Sequence, residues 1–221
     1  MRKTVLFSIL AACAVPTAAE ARDGAAYVEL GAGLTLADDS EFDSAADPDF
    51  DDITVEWGNG FDIAGAAGYD FGAFRAEAEV AFKSHGYDRV LDGATVVLDG
   101  DDDVDFDFNT WSVMLNALVD IGPDESVNGF VGGGLGFSGT ELDVRERTDG
   151  IEETTNDSDS AFAWQLLAGV RVPVSDRIDA GLKYRYFNQS GLGFVISDDD
   201  DFNTDFSSHS LLLTLNYNFG G

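Results

Sequence analysis

The chain has 221 residues, with 42 acidic against 12 basic side chains and a formal charge of −30. Such a field repels nucleic acid and excludes it as a partner. A single cysteine, Cys13, excludes an intramolecular disulfide framework, and roughly 200 residues without a Pro/Ser-rich linker or heptad pattern amount to one domain.

The first element is an export signal. Met1-Arg2-Lys3-Thr4 is basic, and Val5 to Ala14 is an apolar core too short to span a bilayer as a helix. Ala19-Glu20-Ala21 offers a small–x–small cleavage pattern, so residues 1–21 read as a signal peptide and 22–221 as the mature domain. The rival reading is a lipoprotein box at Leu10-Ala11-Ala12-Cys13, with the cysteine acylated, which leaves a very short signal. Cleavage after Ala21 leaves 10 basic and 41 acidic side chains, a charge near −31, and no thiol.

Eight segments of period-2 alternation follow. Tyr27–Leu36 sets Val28, Leu30, Ala32, Leu34 and Leu36 against Tyr27, Glu29, Gly31, Gly33 and Thr35. Phe61–Tyr69 opposes Phe61, Ile63, Ala67 and Tyr69 to Asp62, Ala64, Ala66 and Gly68. The clearest run has Phe74, Ala76, Ala78, Val80 and Phe82 on one face and Arg75, Glu77, Glu79 and Lys83 on the other. Trp111–Ile121 and Val127–Phe137 continue the pattern, the latter with Gly132, Gly134 and Gly136 on its polar face. Phe162–Val172 carries Gln165, Gly169 and Arg171 opposite its apolar face. Ile178–Tyr186 opposes Asp179, Gly181, Lys183 and Arg185 to Ile178, Ala180, Leu182, Tyr184 and Tyr186. The last run presents Leu211, Leu213, Leu215, Tyr217 and Phe219, backed by Ser210, Thr214, Asn216 and Asn218. Each is about 9–12 residues long, enough to cross a bilayer as a tilted strand, and an even number of strands closes a bacterial barrel.

The connections alternate in length. Asp70–Ala73, Gly122–Ser126 and Pro173–Arg177 are tight turns rich in Gly, Pro, Asp and Ser. Asp38–Asp52, Ser84–Asp103, Ser138–Ser160 and Asn188–Ser208 are long polar stretches, expected as loops. Short turns at one end and long loops at the other are the two ends of an outer-membrane barrel.

Periodicity alone leaves open a secreted, lipocalin-like barrel with apolar side chains inside. Three features favour the inverted arrangement. The polar face is rich in glycine, which weakens a solvated strand but leaves room in a narrow lumen. It carries charges of both signs within a few residues, which persist in an interior only when paired. Aromatics gather near strand ends on the apolar face, at Phe74, Phe82, Tyr184, Tyr186, Tyr217 and Phe219, as in interfacial girdles. The reading is an all-β, eight-stranded antiparallel up-and-down transmembrane β-barrel of the cell outer membrane, in contact with its lipids.

Tyr27–Gly33, Phe130–Gly136 and Ala180–Phe187 resemble strands of the opacity-protein and OmpA-type eight-stranded barrel families. Leu211–Phe219 resembles the C-terminal signal read by the barrel assembly machinery, with Tyr217 and Phe219 as its aromatic positions, although Gly220 and Gly221 follow. The resemblance implies the assembly machinery and periplasmic chaperones as partners, and no cofactor.

The candidate chemistry lies on the polar face: Glu29, Asp62, Arg75, Glu77, Glu79, Lys83, Arg171, Asp179, Lys183 and Arg185 form a structural plug or an ion gate. Eight strands leave a lumen that side chains just fill, so the plug is the expected form, a narrow or gated channel the alternative, and a general diffusion pore is rejected. The acidic runs Asp99–Asp107 and Asp198–Asp201 offer carboxylates for loose divalent-cation bridging, although neither matches an EF-hand; otherwise they are a solvated anionic surface. Lipid A deacylases of this architecture pair a His and a Ser two residues apart. Ser84 and His85 are adjacent and face opposite ways, while Ser207 and His209 share a face in reversed order, without an assignable carboxylate. A lipid-acting hydrolase is therefore a distant alternative, and the expected role is non-enzymatic: membrane integrity and loop-mediated surface contact.

Overall fold

The computed structural model describes residues 24–38, 40–42, 53–92, 95–99, 104–123, 126–148, 151–197 and 200–219. Side chains are described within 24–38, 58–86, 109–123, 126–141, 160–190 and 206–219. In chain order the strands are β1 (Ala25–Ala37), β2 (Ser40–Phe42), β3 (Ile53–Asp70), β4 (Phe74–Asp92), β5 (Thr95–Asp99), β6 (Val104–Ile121), β7 (Asn128–Thr148), β8 (Ile151–Pro173), β9 (Ile178–Ser197) and β10 (Asp200–Asn218). Eight of them form the wall. The short β2 and β5 add to β3 and β4 beyond it.

Every pairing is antiparallel, and β1 pairs with both β3 and β10 while β3 pairs with β4, which closes the cylinder. Closure is staggered. Followed partner to partner from Thr35 through β3, the ladder reaches His85; followed the other way through β10, β9, β8, β7 and β6, it reaches Arg75, ten residues lower on the same strand. A stagger of that size in an eight-stranded barrel tilts the strands by about 40°.

Burial runs opposite to that of a water-soluble protein. Leu30, Leu34, Leu115 and Leu213 are each 71% exposed, whereas Asp62, Lys83 and Arg185 are fully buried. Alternation has turned apolar side chains outward and polar ones inward on every wall strand, and backbone pairing satisfies the amides that lipid could not. Trp111 to Ile121 on β6 spans ten residue steps, which at about 3.4 Å each and a tilt near 40° climbs roughly 26 Å, the height of an outer-membrane apolar band. Aromatics mark both margins. At the turn end Phe71 stacks on Phe74 and meets Tyr69 at a tilt, both at 4.7 Å, and Tyr217 meets Phe219 at 5.2 Å. The opposite margin has Phe61 with Phe82, Phe137 with Phe162, and Trp164 with Tyr186.

The turns are as short as expected. In the first, Gly72 adopts φ 97°, and its N–H donates to Asp70 Oδ1 at 2.8 Å, an Asx arrangement that a side chain at Gly72 would strain. The long polar stretches differ from expectation. Ser84–Asp103, Ser138–Ser160 and Asn188–Ser208 are largely ladder, not loop, while most of Asp38–Asp52 lies outside the described residues, and the wall strands run to 13–23 residues. The β7–β8 pairing persists from Asn128↔Arg171 up to Thr148↔Ile151. A strand wetted on both faces has no cause to alternate, so these extensions carried no period-2 signal. Above the margin the wall divides: β8 and β9 part at Phe162↔Ser190, and β1 leaves β10 at Ala37↔Ser208.

Candidate functional site: the charged lumen and the rim cluster

The inward residues form three layers. Nearest the turns, Arg75 makes a bidentate bond to Asp120, Nε to Oδ2 at 2.9 Å and Nη2 to Oδ1 at 3.0 Å. Arg171 Nη2 lies 3.3 Å from Asp120 Oδ2 and 3.4 Å from Asp70 Oδ2. The Arg75 guanidinium also stacks over Phe130 and Tyr27, 5.0 and 5.6 Å from the ring centroids. Beside this layer Asn218 Nδ2 donates to Asp179 Oδ2 at 2.8 Å.

The middle layer centres on Glu77 and Lys183. Tyr27 OH donates to Glu77 Oε2 at 2.7 Å and Asn116 Nδ2 to Glu77 Oε1 at 3.0 Å. Lys183 Nζ donates to Glu29 and lies 3.8 Å from Glu77 Oε1 and 3.7 Å from Glu79 Oε2. Gln165 Nε2 bridges Glu79 and Asn116 at 3.0 and 2.8 Å. Arg185 then links Glu79, at 2.8 Å, to both oxygens of Asp62, at 3.0 and 2.9 Å. Each charge lies within 4 Å of an opposite one, hydrogen-bonded in the Lys183–Glu29 and Arg185–Asp62 pairs and ion-paired in the others, and pairing is what lets buried ions persist.

The third layer is less polar. Among the described residues Lys83 Nζ has no hydrogen-bond partner, and it sits over the Phe187 ring at 3.7 Å. His85 Nε2 lies 3.2 Å from Thr35 Oγ1, with the imidazole edge against Phe206. Met114, Ala161, Ala163, Phe187 and Phe206 pack together as an apolar cap. Thr110, Thr140 and Gln189 chain across the barrel at 3.2 and 3.0 Å.

All ten charged residues singled out from the sequence lie in this lumen, buried. Tyr217 and Phe219 lie on the outer face at the turn end. Sequence reasoning missed Asp120, Asn116 and Gln165 as members of the network, although their inward register was legible. It read Asp70 as a turn residue, and it missed Tyr27 as a donor. Of the two acidic runs, the side chains of Asp99, Asp105 and Asp107 are not described, nor are those of Asp200 and Asp201, and residues 100–103, 198 and 199 lie outside the described residues.

A carboxylate does exist for the Ser207/His209 pair. Asp38, just past β1, accepts from Ser207 Oγ at 2.7 Å through Oδ2, and its Oδ1 lies 3.4 Å from His209 Nε2. This corrects the expectation that none could be found, and the reason is topological: 169 residues separate the partners, and only the β1–β10 seam joins them. The order is unlike a hydrolytic triad. The carboxylate stands between serine and imidazole, and the imidazole's Nδ1 is taken by Tyr184 OH at 2.7 Å, so the histidine is not placed to accept the serine proton. His85 points into the lumen and Ser84 away from it.

Comparison with known proteins agrees with this geometry. No curated protein sequence matches the chain. Among solved structures, Neisserial surface protein A (NspA) is 18% identical, with 88% of this chain and 99% of that one covered at a TM-score of 0.52. The outer membrane protein OprG from Pseudomonas aeruginosa is 13% identical, covering 90% and 97% at a TM-score of 0.57. The family model described as outer membrane protein beta-barrel domain matches residues 5–219. With its polar side chains sealed inside, its apolar belt outside and nearly its whole length matched, the chain belongs to the outer membrane protein beta-barrel family and resides in the outer membrane of a Gram-negative cell.

Proposed function

We propose that the protein is a non-conducting scaffold of the outer membrane that supports membrane integrity and displays extended hairpins for surface contact. The observation that carries this reading is the Arg185 bridge between Asp62 and Glu79 at the barrel's mid-height, with a second ionic layer below it and an apolar cap above. A lumen filled by paired charges leaves no aqueous path without breaking bonds worth several kcal/mol each. Above the membrane the β7–β8 ladder continues eleven rungs beyond Phe137↔Phe162, which presents a long edge to the medium. Residues 1–21 act in this reading as the export signal, Tyr217 and Phe219 as the recognition point for the assembly machinery after chaperone delivery, and the acidic hairpin tips as loose sites for divalent cations.

Planar-bilayer recording with the purified full chain is the test. The expected trace shows no discrete steps at either polarity. A steady, reproducible single-channel conductance would overturn the scaffold reading in favour of a narrow channel. For the integrity role, a strain lacking the protein should become sensitive to bile-salt detergent and regain resistance when the chain is restored.

A further inference from the structure

One stretch of the outer aromatic margin carries polar groups that a girdle alone does not require. Trp164, Tyr186 and His209 adjoin on β8, β9 and β10, with ring centroids 5.4 and 5.1 Å apart, and Tyr184 lies 6.0 Å from His209. These rings face outward on the lipid side of the wall. His209 stands eight residues above Tyr217 on β10, which at about 3.4 Å per residue and a tilt near 40° places it roughly 20 Å above the turn-end girdle, near the outer edge of the apolar belt and beneath the outer-leaflet headgroups. Its rim is polar, made of the half-exposed Asp38 carboxylate, the Ser207 hydroxyl and the Tyr184 phenol.

Tyr184 OH holds the imidazole at Nδ1, and the half-exposed Asp38 carboxylate, with Oδ1 3.4 Å from Nε2, adds acceptor oxygens at its rim. Fixed aromatic faces beside an acceptor-rich rim suit a pyranose: its C–H face packs on the π-surface, and its hydroxyls donate to the carboxylate. The charge pattern argues against phosphate. Among the described side chains Arg75, Lys83, Arg171, Lys183 and Arg185 are buried in the lumen, and the remaining cation, Arg177, belongs to the β8–β9 turn at the opposite end. Among the described side chains the patch is thus anionic, without a cation to receive a phosphate. Below it the wall continues into Leu36, Leu211 and Leu34, an apolar track on which acyl chains can lie.

We infer that the Trp164/Tyr184/Tyr186/His209 patch, with Asp38 at its rim, binds the saccharide headgroup of an outer-leaflet glycolipid through its sugar rather than its phosphate.

The test embeds the full chain in phospholipid nanodiscs carrying either a synthetic, uncharged diacyl-glucosamine lipid or phosphatidylglycerol with the same acyl chains. Native mass spectrometry counts the lipids retained on the released barrel. Wild type is expected to retain the glycolipid about tenfold over phosphatidylglycerol. Asp38→Asn, nearly isosteric and outside the wall ladder, should remove most of that preference, as should Trp164→Leu combined with Tyr186→Leu. Val80→Ala, across the barrel on β4, should leave it intact. Equal retention of the two lipids, retention that follows phosphate, or a preference unchanged in Asp38→Asn would each overturn the inference. Heat-modifiable migration in SDS gels checks that each variant is folded, and if the double variant fails to fold, Asp38→Asn alone decides.

Discussion

At the scale of single residues, the buried cations are unequal. Arg185 holds two carboxylates at once, Asp62 by hydrogen bonds and Glu79 by an ion pair. Arg185→Met strands Asp62 and Glu79 in a low-dielectric interior and should cost about 3–5 kcal/mol in urea unfolding from lipid vesicles. Lys83 offers the opposite case: its ammonium meets an aromatic face and donates no hydrogen bond among the described residues. Lys83→Met keeps the contact with Phe187 and leaves no donor orphaned, so the same unfolding measurement should register about 1 kcal/mol or less. Equal costs for the two variants would show that the lumen does not divide into an ionic body and an apolar cap.

At the scale of elements, β7 is shaped by what opposes it. A Cβ on Gly134 would lie 1.9 Å from Asn116 Oδ1, and one on Gly169 of β8 would lie 2.5 Å from the Phe130 ring. Gly134→Val should therefore cost about 1–3 kcal/mol by overpacking and reduce the heat-modifiable fraction, whereas Gly129→Ala, with no neighbour nearer than 3.7 Å, should fold normally. On the lipid face, Leu115→Arg at the middle of the belt should cost about 2–4 kcal/mol, against about 0–1 for Val174→Arg in the turn; refolding into vesicles of defined thickness measures both. These contrasts also explain what the sequence made legible. Wall strands such as β4, with Glu77 and Glu79 against Ala78 and Val80, announce themselves because lipid and lumen demand opposite chemistry of alternate residues. The upper halves of β7 and β8 do not, since water lies on both sides. The inward set could be listed from register alone, but its pairings could not: Lys183 meets Glu29 across 154 positions of chain, and which charges share a layer depends on the stagger of closure. Asp38 escaped for the same reason.

At the scale of the whole molecule, the wall and the projecting ladder are separable. The β7–β8 rungs from Asp143↔Asn156 upward lie beyond the margin marked by Phe137 and Phe162. Removing residues 143–156 and rejoining the ends with a two-residue turn should leave heat-modifiable migration in SDS gels unchanged while abolishing surface contacts made by that hairpin. Loss of the folded band would mean that the ladder is part of the barrel's stability rather than a display element.

The seam between β1 and β10 holds eleven registered residue pairs, from Tyr27↔Asn218 to Ala37↔Ser208. It joins the opening strand of the sheet to its closing one, so the ring is incomplete until the final segment has been delivered. Every earlier intermediate exposes two raw edges that neither lipid nor a neighbouring strand satisfies. Insertion and folding are therefore coupled and late, with very high contact order, since the ring cannot close before its last strand arrives.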